Sequence, residues 1–350
     1  MALRGRKWAV RSYGPSSNLE LIDFDLPDQL APDAVSIKVL ATTATYTDQL
    51  IIRGNYRPCP PLPATPGYDL VGVVTGVGAA VTRVCVGDRV AAMPQAGCCA
   101  THVVLPAHLV IKVRADVSPA DAVAVVLTGV TAYQMLHRHA TVTPQSRLLI
   151  HACGGGTGAM LVELAKAAGV KAENIFGTCS SKSRAVASSL GIKTFDYKSD
   201  DWCAGVLAAT GGAGVDAVFD SVILGGYLRR GLACLRKGGA YVGYGVTNAD
   251  APGSLPLLSV ISALTSLSFQ NSFWRCFDGK RASFYNVADE RDRRPDLFAA
   301  DLATLVDLVA AGSLRPVVGR VYSFEEAKLA AAAIEGNTHT GKQIIVVAEQ

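Results

Sequence analysis

Leu148-Leu149-Ile150-His151-Ala152-Cys153-Gly154-Gly155-Gly156-Thr157-Gly158 is the stretch on which the reading of this chain turns. A short apolar run enters four glycines within five residues, and a helical pattern, Ala159–Ala168, starts behind it. Glycine permits a tight turn and lets the backbone come close to a bound group. The first amides of a helix add unpaired N–H groups and partial positive charge. A glycine run alone is weak, so the flanking pattern matters. Strands are predicted at Arg147–His151, Asn174–Thr178, Ala217–Asp220, Ala240–Tyr244 and Leu267–Asn271. Helices are predicted at Ala159–Ala168, Lys182–Leu190, Gly226–Leu235 and Asp296–Ala311. Strand–helix alternation of this kind defines an α/β, doubly wound parallel sheet. In that setting Gly154, Gly155, Gly156, Thr157 and Gly158 are the expected seat of a dinucleotide pyrophosphate.

The end of the next strand speaks to which dinucleotide. An NAD site places Asp or Glu about 20 residues on, against the ribose hydroxyls. Here the segment is Gly177-Thr178-Cys179-Ser180-Ser181-Lys182-Ser183-Arg184, with no acid. Without a carboxylate nothing repels a 2′-phosphate, and two hydroxyls and two cations offer charge-assisted hydrogen bonds. Ser180, Ser181 and Lys182 are therefore expected to favour NADPH. A serine here can equally cap the following helix, and both roles can hold at once.

Upstream the pattern changes. Val35–Thr42, Leu70–Val77, Arg89–Met93, Thr101–Leu105 and Leu109–Val113 read as short strands with turn punctuation at Gly87-Asp88, which suggests a small, partly closed β-barrel. Ser118-Pro119-Ala120-Asp121 caps a helix. Downstream, Pro316–Val347 holds a helix, Phe324–Glu335, between strand-like segments, and is expected to return to the first domain. The boundaries expected are 1–122 with 312–350 for a substrate domain and 123–311 for the nucleotide-binding domain.

A length of 350 residues suits two domains. Half of the residues are hydrophobic and 18% charged, which excludes a disordered chain. A net charge of +4, scattered along the sequence, gives no basic stripe for nucleic acid. The nine cysteines form no CxxC pair, so reduced thiols in a cytoplasmic protein are expected. Met1–Val10 has no apolar run behind its cations, and the longest apolar run, Ala122–Leu127, falls far short of the roughly 20 residues of a bilayer span. No membrane association is expected. The charged region Phe273–Arg294, with its mixed signs, reads as a solvated surface rather than a lid over an anionic carrier.

Taken together, Thr45–Tyr56, Pro63–Gly78, Gly87–Val90, Leu127–Tyr133, the glycine turn, Asp216–Val222, Gly238–Gly245 and Thr340–Ile345 resemble the medium-chain dehydrogenase/reductase superfamily over essentially the whole length. The resemblance is to the branch of quinone oxidoreductases, enoyl reductases and vesicle amine transport relatives. It implies a GroES-like β-barrel domain beside a Rossmann domain, and a homodimer built through the strand at Leu267–Asn271. It also implies roles for single residues. Tyr56, in Arg53-Gly54-Asn55-Tyr56-Arg57-Pro58, matches a substrate-donating tyrosine, and Tyr46 is a competing donor. Asp48 would orient rather than act as a base. Thr131 and Gly245 match cofactor-contacting positions, and Tyr197 one that packs near the adenine 2′-phosphate.

Zinc-dependent members carry ligands where this chain has Thr45, Tyr68 and Leu127. Those three are not a ligand set for zinc, and the four-cysteine lobe is missing, so no metal is expected. Without a Lewis acid, hydride addition to a conjugated system is the easier chemistry, because charge spreads into an enolate or hydroquinone. A quinone or enone reductase is thus the expected activity. An enoyl-thioester reductase acting in trans for polyketide or fatty-acid synthesis, and a non-catalytic NADPH-binding protein, are the alternatives.

Overall fold

The structure is a computed structural model and describes residues 4–246, 265 and 278–348. Contacts divide the chain into two units, Met1–Thr128 with Arg294–Gln350, and Gly129–Arg293. The divisions expected from sequence lay at 122/123 and 311/312; by contacts they fall within the helix begun at Pro119 and just before the one begun at Pro295.

The first unit begins with β1 (Arg4–Val10) paired antiparallel to β2 (Leu19–Asp25). It continues with β3 (Ala34–Ala44), α1 (Tyr46–Ile52), β4 (Leu70–Val77), β5 (Arg89–Ala92), β6 (His102–Pro106) and β7 (Val110–Lys112). Helix α2 (Pro119–Gln134) then leads out, its start capped by the Ser118 hydroxyl, which accepts from the Asp121 amide at 3.1 Å. With a final wider turn, Met135–His139, this helix is long and apolar enough by composition to cross a membrane. Most of its apolar stretch, 72%, is buried within the fold, as in the core helix of a globular protein.

The second unit alternates β8 (Leu148–Ile150), α3 (Gly156–Ala167), β9 (Ile175–Cys179), α4 (Arg184–Ser189), β10 (Lys193–Asp196), α5 (Trp202–Ala209), β11 (Val215–Asp220), α6 (Tyr227–Cys234) and β12 (Leu235–Gly243). After the undescribed stretch come β13 (Arg281–Phe284) and α7 (Val287–Arg293). The chain returns to the first unit as α8 (Pro295–Ala310), β14 (Val318–Ser323), α9 (Ala327–Glu335) and β15 (Lys342–Val346).

The sheet of the second unit is parallel, in the order β10-β9-β8-β11-β12-β13. Its central strand β8 is apolar at all three positions and fully buried, as a strand covered on both faces must be. The order reverses between β8 and β11, and such a switch point opens a crevice beyond the carboxyl ends of the strands. The first unit holds a second sheet, β14-β15-β3-β4-β5-β7, with β6 also on β3. At eleven residues β3 is long enough to pair β6 through Ala34–Lys38 and β15 through Ala41–Ala44, with β4 along most of its length. This is the α/β architecture expected, a Rossmann sheet with a separate GroES-like β domain.

The strand expected at Leu267–Asn271 lies outside the described residues. The described part of the charged region forms β13 and α7, with Arg281, Asp289, Asp292, Arg293 and Arg294 exposed to solvent. Lys280 and Arg291 are buried, the Lys280 ammonium donating to the Leu232 carbonyl at 3.1 Å and the Arg291 guanidinium pairing with Asp292 at 2.6 Å.

Candidate functional site

The glycine turn follows β8. The His151 amide donates to Phe219 O at 2.9 Å and so ties the strand end to β11, and its Nδ1 lies 3.0 Å from the Thr178 hydroxyl on β9. Burial pushes the imidazole pKa down, and Nε2 is buried without a hydrogen-bond partner. The next residue, Ala152, makes the sharp bend with φ of +53°, in the left-handed region that favours glycine. None of Gly154, Gly155, Gly156 and Gly158 has a positive φ. Their role is close approach rather than backbone freedom. A Cβ on Gly158 would sit 2.3 Å from Ala152 O, and one on Gly154 would sit 2.7 Å from Ser183 Cβ. At Gly155, the N-cap of α3, only Ala152 O lies near, at 3.3 Å, and no side chain caps the helix. The first-turn amides of Gly156, Thr157 and Gly158 thus face a side without a capping acceptor. Open amides on a glycine-walled turn fit a diphosphate.

Ser180–Ser183 abut this turn through the Gly154–Ser183 approach. Ser180 does cap: its Oγ accepts from the Ser183 amide at 3.4 Å, and Ser183 Oγ accepts from the Ser180 amide at 3.2 Å. Ser181 and Lys182 are exposed beside it. The register brings in a residue that the sequence reading missed, because β10 pairs Asp196 with Cys179. The Asp196 carboxylate is taken up by Arg184 Nη2 at 3.3 Å and by the Lys198 amide at 3.0 Å. The next amide, of Tyr197, donates to Cys179 O at 3.1 Å, which sets Tyr197 at the same strand end. Gly245 follows β12, where a Cβ would lie 3.1 Å from Ser221 O. The turn, the serines, Tyr197 and Gly245 therefore all sit at the carboxyl ends of parallel strands. Thr131 lies apart on α2, its hydroxyl buried with no hydrogen-bond partner.

The first unit holds the two tyrosines. Thr45 caps α1 in a reciprocal box with Asp48. The Asp48 carboxylate accepts from Thr45 N at 2.8 Å, Thr45 Oγ1 at 2.7 Å and Gly67 N at 2.7 Å, fastening α1 to the Gly67 segment. Desolvation raises its pKa to about 6 against these hydrogen bonds. Tyr46 opens α1, half-buried. Tyr56 follows the same helix, its amide donating to Leu50 O at 3.1 Å. Its hydroxyl lies 3.0 Å from that of Tyr68, ring edge to ring face, with centroids 6.1 Å apart. Tyr68 neighbours Asp69, which is fully buried and accepts from Thr43 Oγ1 at 2.5 Å and Leu127 N at 3.1 Å, with Lys342 Nζ at 3.9 Å. Thr45, Tyr68 and Leu127 are thus each bound into this network by a hydroxyl or an amide. Among the described residues no group of three or more His, Cys, Asp or Glu could hold a metal ion.

Comparison with known proteins agrees with this arrangement. Residues 31–144 match the family described as alcohol dehydrogenase GroES-like domain, and residues 190–345 the family described as zinc-binding dehydrogenase. A probable quinone oxidoreductase of Schizosaccharomyces pombe is 29% identical over 97% of this chain and 96% of its own. A mycocerosic acid synthase-like polyketide synthase of Mycobacterium tuberculosis is 29% identical over 98% of this chain, which spans only 15% of that protein's length. The Escherichia coli quinone oxidoreductase complexed with NADPH shares the fold, with a TM-score of 0.81 at 23% identity over 98% of this chain and all of that one. The two family matches and the fold give the chain the GroES-like and Rossmann architecture of nicotinamide-dependent oxidoreductases. The chain belongs to the medium-chain dehydrogenase/reductase superfamily, in its quinone oxidoreductase and enoyl reductase branch.

Proposed function

We propose that the protein is a zinc-independent NADPH-dependent reductase that adds hydride to a quinone or a conjugated carbonyl. The observation that carries the reading is the contact of the glycine turn with the serine turn at Gly154 and Ser183, since one dinucleotide then meets both. The turn amides would hold its diphosphate. Ser181 and Lys182, with no free acid beside them, would favour the extra phosphate of NADPH, because Asp196 is already neutralised by Arg184. Thr131, Tyr197 and Gly245 are the remaining proposed cofactor contacts. The bound cofactor supplies the hydride.

The chain's own part in the chemistry is to stabilise the oxygen on which charge develops. Tyr56, half-exposed with a phenolic proton, is the proposed donor, and Tyr46 the second candidate. Zinc independence rests on residue chemistry, since threonine, tyrosine and leucine do not make a zinc site. The eight described cysteines are all free, in keeping with a reducing, cytoplasmic setting, and we propose a homodimer.

The test mixes the protein with NADPH or NADH and follows nicotinamide absorbance over quinones, enones and enoyl thioesters, with zinc assayed on the same sample. Oxidation of NADPH with quinones or enones is the expected result. Turnover confined to enoyl thioesters would establish the second reading, which the alignment to a polyketide synthase favours. Tight NADPH binding without turnover of any substrate would leave a binding protein. Stoichiometric zinc, or no affinity for either nucleotide, refutes the proposal.

A further inference from the structure

We propose that Cys203 and Cys234 form a reversible redox site, in which a peroxide oxidises the two thiols to one disulfide that ties α5 to α6. Both cysteines are free thiols, and their sulfurs lie 3.1 Å apart. A disulfide bond is about 2.05 Å long, so about 1 Å of approach separates this contact from a bond. Cys203 stands in the first turn of α5, and Cys234 is the last residue of α6. The two helices are held together by other groups as well. The Arg230 guanidinium on α6 pairs with Asp201 at 2.6 Å and lies over the Trp202 ring, 4.2 Å from its centroid. That clamp grips the two residues before Cys203, and the Cys203 thiol donates to the Arg230 carbonyl at 3.5 Å. With the helices already fastened, closing the last gap falls to the two side chains.

The two thiols differ in what they can do. Cys203 is half-buried and within reach of a small oxidant, whereas Cys234 is fully buried. Burial pushes the Cys234 thiol pKa up, and the hydrogen bond it donates to the Cys203 sulfur raises it again. Cys203 is therefore the sulfur that attacks, and Cys234 the one that resolves. As the Cys203 thiolate attacks hydrogen peroxide, an S–O bond forms, the O–O bond breaks, and hydroxide leaves and takes up the proton shed by Cys203. The Cys234 sulfur then attacks the resulting sulfenic acid. An S–S bond forms, the S–O bond breaks, and hydroxide departs as water with the Cys234 proton. The two thiols have lost two electrons and two protons, and the peroxide has become two waters. A dithiol reductant reverses the change by exchange. Because the resolving sulfur is already in contact, it can close the bond before a second peroxide drives Cys203 to the irreversible sulfinic acid.

The test takes the whole protein, reduced and then freed of reductant, through increasing hydrogen peroxide. Peptide mapping without reduction, labelling of free thiols and thermal unfolding follow the change. The expected product is a linked pair of peptides carrying Cys203 and Cys234, with both thiols lost to labelling and restored by dithiothreitol. Thirty residues lie between the two cysteines. Closing a loop of that length should raise the melting temperature by about 5–10 °C. Cys234→Ser should leave Cys203 as a sulfenic acid that dimedone traps, with no rise in melting temperature. Cys203→Ser should leave the buried Cys234 thiol unoxidised at the same peroxide. Should Cys234→Ser fail to fold, Cys203→Ser, at the half-buried position, carries the comparison. Sulfinic acid at Cys203 without a cross-link would overturn the proposal, as would both thiols surviving peroxide. A disulfide from either to another cysteine, Cys276 included, or a cross-link that forms in urea but not in the folded protein, would overturn it equally.

Discussion

Gly158→Ala is the sharpest probe of the nucleotide turn. The added methyl would lie 2.3 Å from Ala152 O and 2.8 Å from Cys153 Cα, both backbone atoms that cannot rotate away. Relief to ordinary contact requires the bend and α3 to part by about 1 Å. Overpacking of this kind costs about 3 kcal/mol where the neighbour is rigid, and alanine returns up to about 1 kcal/mol through its helix propensity. The net loss is about 2 kcal/mol, or roughly 4–8 °C in melting temperature for a unit of this size. The same movement takes first-turn amides away from the diphosphate, and each such bond contributes about 1.5–3 kcal/mol, so Kd for NADPH should rise at least about tenfold. Gly155→Ala is the control, because its methyl meets only Ala152 O at 3.3 Å and otherwise enters the open side of the turn. It should leave the melting temperature of the free protein in place and still weaken NADPH. Calorimetry and thermal unfolding on both variants decide the matter. A Gly158→Ala protein with wild-type melting temperature and affinity would refute the reasoning.

Three further expectations follow from the side chains. Thr131→Val removes a buried hydroxyl that has no partner, so the free protein should be unchanged or more stable by up to about 1 kcal/mol, while NADPH affinity falls severalfold in calorimetry. Lys182→Glu places a negative charge beside Ser181 and should weaken NADPH about tenfold with little effect on NADH, as read from the ratio of the two Kd values. Asp48 is pushed up to about 6 from an ordinary 3.8, so the folded state prefers the protonated acid. Its contribution to stability is present in full below the unfolded value and is lost as pH rises through about 6, an effect of about 3 kcal/mol. Half-buried His102 and His339 are pushed the other way, so the measurement is the difference between wild type and Asp48→Asn in urea unfolding from acid to neutral pH. The wild type should lose ground relative to the variant as pH rises, and a constant difference would show that Asp48 is not desolvated.

The glycine turn and the central strands β8, β9, β11 and β12 were legible because strands covered on both faces are largely apolar and the turn breaks them with a run of one residue type, whereas the edge strands β10 and β13, with Lys193 and Arg281 exposed, carry no such pattern and were missed. The N-terminal pair β1 and β2 was not legible either, since Arg4, Arg6, Asp23 and Asp25 on one face and Lys7 and Glu20 on the other interrupt the apolar pattern with charges. Helix α1 is short and rich in residues that suit strands, although the Thr45-x-x-Asp48 box was a signal that could have marked its start. The bend at Ala152 was hidden among glycines that looked like its natural site. Asp196 and Tyr68 escaped for a different reason. Each meets its partner only through register or tertiary packing, and no local pattern records that Asp196 pairs with Cys179 or that Tyr68 reaches Tyr56.

The interleaving of the two units bears on how the protein is made. Strand β3 finds its partner β15 only at Gln343–Val346, so the edge at Ala41–Ala44 stays open on a nascent chain until synthesis has passed that strand. The nucleotide-binding unit is one uninterrupted stretch and can settle first, as domains emerging from a ribosome tend to do. The β unit, although its first strands leave the ribosome earliest, is the last to close, and a stalled or truncated product would expose an apolar strand edge of the kind that chaperones recognise and aggregates recruit.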